Sequence, residues 1–96
     1  MQITKRAEGQ RQIGDALVSQ DALASVREVA VDGFERSWEP APTDTSVSAR
    51  EPISQNADAV AYPASPDEAV YLHIAVEDQV ISIPDRKYLL KMLRLL

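Results

Sequence analysis

The stretch "VREVAVDGFERSW", residues 26–38, decides how the first half of the chain is read. Asp32-Gly33 is a favoured dipeptide for a two-residue hairpin turn, because both central positions of a type I′ turn need positive φ. With that turn, Val31 pairs with Phe34, Val29 with Arg36 and Arg27 with Trp38. Val29, Val31, Phe34 and Trp38 then share one face, and Glu28, Glu35 and Ser37 suit the wetter one. β-Branched residues cluster in 26–31, which favours strand over helix. The sequence therefore predicts a hairpin over 26–38. The competing reading extends a helix to Asp32, with Gly33 as its left-handed C′ residue.

Upstream, "IGDALVSQDALAS" carries Ile13, Ala16, Leu17, Leu23 and Ala24 on one side at helical spacing. This predicts an N-terminal helix over about 15–25. Gly9 and Gly14 weaken a continuous helix starting earlier. Downstream, residues 39–66 hold five of the six prolines, among Ser, Thr, Asp and Ala. Proline removes backbone donors and fixes φ, so this stretch reads as a linker or extended arm. "DAVAYP" within it has the pattern of a short edge strand.

"VYLHIAVEDQVISIP", residues 70–84, alternates in hydropathy. With Glu77-Asp78 at the turn, Leu72 pairs with Ile83 and Ile74 with Ile81, and Val70 and Val76 join their face. Glu-Asp is not a favoured I′ pair, so a longer loop around a type I turn is expected. Residues 84–96, "PDRKYLLKMLRLL", are amphipathic: Tyr88, Leu89, Met92, Leu93, Leu95 and Leu96 face one way, Lys87, Lys91 and Arg94 the other. Asp85 is the expected N-cap, with Ser82 the alternative. These elements predict an α+β fold, a small single domain over 1–96 in which two antiparallel β-hairpins are packed by an N-terminal and a C-terminal amphipathic helix.

The chain has 96 residues, 45% of them hydrophobic, so a core is affordable but small. Its five aromatics are Phe34, Trp38, Tyr62, Tyr71 and Tyr88. A core of this size is often completed by a partner or a second copy. There is no cysteine, no apolar h-region after the first cations and no apolar run of bilayer length, so a cytoplasmic location is expected. The net charge of −5 is uneven. Residues 13–84 hold three cations against thirteen acids, whereas residues 85–96 hold Arg86, Lys87, Lys91 and Arg94 against Asp85 alone. Segments of opposite sign point to a charged partner surface, or to ends folded back on the acidic middle.

The search for chemistry yields little. The register of 70–83 places His73, the sole histidine, opposite Ser82, the one pairing that looks like a nucleophile and its base. Neither an oxyanion turn nor a committed third carboxylate is evident nearby, so no catalytic residue is assigned. One His without Cys does not build a zinc site, the acids lack calcium-loop spacing, and the three glycines are scattered singly, so no metal or cofactor is expected. The reading is a non-enzymatic regulatory, inhibitor or adaptor protein that binds another protein. A homodimer is compatible with it, and a membrane role is not expected. The alternative is a nucleic-acid-binding regulator that uses the basic C-terminal helix. Candidate contact residues are Arg50, Tyr62 and Tyr71 for a protein partner, and Arg86, Lys87, Lys91 and Arg94 for either.

Overall fold

A computed structural model of the chain describes residues 10–36, 51–65 and 67–95. The first element is a hairpin, which takes up the first part of the helix expected over about 15–25; the helix begins only at Gln20. β1 (Gln10–Ile13) and β2 (Ala16–Ser19) pair antiparallel, with Ile13 opposite Ala16 and Gln10 opposite Ser19. The turn is Gly14-Asp15, and Gly14 sits at φ 61°. Positive φ at the first central position is what a Gly-X hairpin turn requires. Ile13, Ala16 and Val18 turn into the core.

α1 (Gln20–Arg36) follows without a linker, and the Ser19 hydroxyl accepts the Ala22 N–H at 3.2 Å as its N-cap. The expected hairpin at 26–38 is therefore corrected: 26–36 is helix, and Trp38 lies outside the described residues. The helical stripe runs on past Ser25. It continues through Val26, Val29, Ala30, Gly33 and Phe34, all buried, and only Val31 leaves it, at 38% exposure. Gly33 is not a turn residue. A Cβ there would stand 3.0 Å from the Cβ of Ala61 and 3.1 Å from a Leu72 methyl. Its missing side chain lets the helix lie directly on the sheet.

That sheet has the order β3-β4-β5-β6, all antiparallel. β3 (Ser54–Gln55) and β4 (Ala59–Pro63) come from the later part of the stretch read as linker or arm, whose residues 39–50 and 66 lie outside the described residues, and β4 is where the short strand at "DAVAYP" was expected. It is not an edge, because β3 pairs along its outer side. Its proline does not interrupt pairing: Pro63 is its last residue, where a missing donor costs least. β5 (Leu72–Val76) and β6 (Gln79–Ile83) keep the predicted register, Leu72 to Ile83 and Ile74 to Ile81.

The turn between them is the two-residue Glu77-Asp78, with φ of 47° and 64°, so the longer loop expected there does not form. Glu77 is held in this conformation from outside, since its Oε1 accepts the Ser19 N–H at 2.9 Å. The Ser19 hydroxyl first, and this backbone N–H with it, lower the Glu77 carboxyl pKa below its ordinary value. Gln79 makes a second bridge. Its amide donates to the Leu17 carbonyl at 2.6 Å and accepts the Leu17 N–H at 2.9 Å, standing in for a peptide group along the free side of β2.

The inner face of the four-stranded sheet (Ala59, Ala61, Leu72, Ile74, Val76, Ile81 and Ile83) packs with α1 and the hairpin in one core. α2 (Arg86–Leu95) closes it with Leu89 and Met92 buried and Tyr88 and Leu93 packed at the margin. Asp85 is its N-cap, with Oδ1 accepting the Tyr88 N–H at 2.7 Å. Side-chain bonds tie α1 to the β3–β4 turn. The Ser54 hydroxyl donates to Asp32 at 2.8 Å, the buried Ser25 hydroxyl to Asn56 at 3.3 Å, and the Asn56 amide to Glu28. Asp32 also accepts from Arg36 at 3.1 Å, and Ser54 and Arg36 together lower its pKa. Among the described residues, no helix is long and apolar enough to cross a membrane.

Candidate functional site

The outer face of the sheet and the outer face of α2 carry the candidate residues, and they differ in kind. On the sheet, alternation turns Val60, Tyr62, His73, Ala75, Val80 and Ser82 away from the core. The register sets Tyr62, His73 and Ser82 side by side in one row. His73 Nδ1 lies 3.0 Å from the Ser82 hydroxyl, as the pairing predicts. Its Nε2 lies 3.0 Å from Glu68 Oε2, so a third carboxylate is present after all. A carboxylate only accepts, so Nε2 carries the proton toward Glu68. A neutral ring then leaves Nδ1 to accept from Ser82.

Glu68 is placed by its own loop. Its N–H donates to the Ser65 carbonyl at 3.0 Å, and its Oε1 accepts the Ser65 N–H at 2.6 Å and hydroxyl at 2.8 Å. The Glu68 carboxylate reaches back to the Ser65 N–H as in one half of a capping box, here closing a turn with no helix after it, and "SPDE" at 65–68 has the S-x-x-E spacing this needs, a signal that reasoning from His73 alone passes over. The Ser65 backbone bond first, then its hydroxyl and His73, bring the Glu68 pKa from 4.5 to about 2. The row Ser82–His73–Glu68–Ser65 thus clasps the β4–β5 loop to the sheet, each of its polar groups engaged in that closure.

At the other site, Phe34 is the organising residue. The Tyr71 ring tilts against it with centroids 5.9 Å apart, and the Arg86 guanidinium stands 5.7 Å from its ring centroid. Two candidate residues distant in sequence, Tyr71 and Arg86, therefore meet over the C-terminal end of α1. Tyr71 remains 49% exposed. Tyr62 is not part of this group, being half-buried in the sheet row beside His73. Arg50 lies outside the described residues.

Arg86 begins α2, and Lys87, Lys91 and Arg94 follow along its exposed side. The expected assignment of Leu95 to the buried stripe is corrected: Leu95 is 51% exposed, and Leu90, on the same outer side, is 55% exposed. Leu95 follows Tyr88 by seven residues on the same flank but is the last residue of α2, one turn beyond the core contacts of Tyr88 and Met92. Leu96 lies outside the described residues. Leu90 falls outside the expected apolar stripe, so only Leu95 was misplaced: helical spacing alone does not show where along its stripe a helix leaves the core. No protein-family model matches the chain, and neither does any curated protein or solved structure.

Proposed function

We propose that this protein is a non-enzymatic regulator, inhibitor or adaptor that works by binding another protein. The contact surface is the outer side of α2, extended at its first turn by Tyr71 and Arg86 over Phe34. One observation carries this reading: Leu90 and Leu95 stand half exposed among four cations on a ten-residue helix. Exposed leucines grouped on one short element suit a partner that covers them, and aromatic and arginine anchors nearby are the residues that dominate such contacts.

Capture with the tagged protein, followed by reconstitution from purified components, tests it. A complex that survives gel filtration is expected with the native chain, and it should be lost in Leu90→Asp/Tyr71→Ala. A complex indifferent to both substitutions would place binding elsewhere. The second reading is favoured by the exposure of Lys87, Lys91 and Arg94, which would have to neutralise phosphates. Under the first reading, a random-sequence duplex should not be retarded at physiological salt. Salt-sensitive retardation lost in Lys87→Glu/Lys91→Glu would favour nucleic acid instead.

A further inference from the structure

Resting on that protein-binding reading, we infer that the partner presents an acidic helix to the outer side of α2. Lys87, Lys91 and Arg94 are spaced i, i+4 and i+7, which lines them up as one ridge on a helix. Leu90 lies on one side of this ridge and Leu95 on the other, at 55% and 51% exposure. Among the described residues, none of the three cations has an ion-pair partner. Acids are plentiful in this chain, thirteen of them within residues 13–84, yet those described lie elsewhere. Asp85 caps the helix, Glu68 and Glu77 hold turns, and Glu28 and Asp32 bind the β3–β4 turn. Among the described residues, the cationic ridge is thus left unneutralised on an acidic molecule, and carboxylates from outside complement it.

The order of residues around the helix separates the classes of occupant. A helix lying in a membrane surface needs its apolar residues central and its cations at the borders, from which they snorkel outward. Here the cations are central and the leucines border them. A phosphate backbone would meet the cations but leave both leucines in water. A partner helix with carboxylates down its middle and apolar residues on both flanks covers all five side chains. Its i, i+4, i+7 spacing repeats that of Lys87, Lys91 and Arg94 when the two helices lie nearly parallel or antiparallel.

The probe is a labelled, helix-favouring peptide with Glu at i, i+4 and i+7 and Leu on either flank, titrated with the full chain by fluorescence anisotropy. Binding should weaken as salt is raised. It should fall at least about thirtyfold in Lys87→Glu/Lys91→Glu, and return when that variant meets the peptide with Lys in place of Glu. Leu90→Ala/Leu95→Ala should cost about tenfold and leave the salt dependence unchanged. Failure of the acidic peptide to bind, or equal binding of both peptides to the native chain, would overturn the inference. So would tighter binding to vesicles of anionic phospholipid or to duplex DNA. A reconstituted partner that needs Leu90 and Leu95 but tolerates charge reversal would overturn the acidic helix and leave the protein-binding reading standing.

Discussion

Two dipeptides invite comparison as hairpin turns, and the molecule uses the less favoured one. Asp32-Gly33 has the residues a type I′ turn prefers, yet it lies inside α1. Glu77-Asp78 lacks glycine, yet both residues adopt positive φ and join β5 to β6. The difference lies in what the flanking side chains can bury. Around Glu77-Asp78, strict alternation places Leu72, Ile74, Val76, Ile81 and Ile83 on one face, and a slip of one residue would expose them all. Around Asp32-Gly33, a helical phase buries Val26, Val29, Ala30 and Phe34, and leaves Glu28, Asp32 and Glu35 toward water. Burial over ten residues outweighs the local preference of two.

Gly33 gives the largest effect. In a hairpin, Asn at this position is welcome, since it tolerates positive φ. In the helix, any side chain meets Ala61, whose strand is fixed by β3 and β5 on either side. Gly33→Ala should therefore lose about 1–3 kcal/mol despite the better helix propensity of Ala. Gly33→Asn should lose more. Chemical denaturation of both variants decides it, and an Asn variant milder than the Ala variant would break the helical account.

A smaller effect, of opposite sign, is expected at Asp78. A non-glycine residue in the left-handed region costs about 1–2 kcal/mol, and glycine returns part of that gain through the freedom of the unfolded chain. Asp78→Gly should stabilise the protein by about 0.5–1 kcal/mol in the same denaturation assay. Glu77 should not share this gain, because its carboxylate holds the Ser19 N–H at the start of α1. If Glu77→Gly stabilises as much as Asp78→Gly, the bridge to Ser19 contributes nothing.

The same contrast explains which parts of the fold were legible. The β5–β6 register, the His73–Ser82 pairing and the Asp85 cap follow from short-range patterns that tertiary contacts reinforce. β1–β2 was not legible as a hairpin, because Ala16, Leu17, Leu23 and Ala24 also satisfy a helical period across the strand–helix junction at Ser19. The signal that could have separated them is Gly14-Asp15 between two four-residue strands. β3 is two residues long and is held by Asp32 and the β4 ladder, contacts that no local pattern encodes. Of the candidate surface, the cations were legible from charge alone. Leu90 already fell outside the apolar stripe, whereas Leu95 required the helix to be seated against the sheet before it could be placed outside.

The smallest effect tests the clasp on the outer face of the well-predicted hairpin. Glu68 titrates at about 2 where an ordinary glutamate titrates at 4.5, chiefly because the Ser65 N–H and hydroxyl bind its charged form, with His73 adding to them. A depressed carboxyl pKa means that the unfolded chain takes up the proton first as pH falls. Its contribution is therefore fully present above 4.5 and is lost as pH drops toward 2. Glu68→Gln removes the titrating group while keeping the shape of the side chain. Asp32 and Glu77 are also depressed, but they are common to both proteins and cancel in the comparison. The native protein should thus lose melting temperature more steeply than Glu68→Gln between pH 4.5 and 2, with the two curves converging at the acid end. Parallel curves would mean that the Ser65–Glu68–His73 closure does not couple to folding, and that the β4–β5 loop is held by its backbone alone.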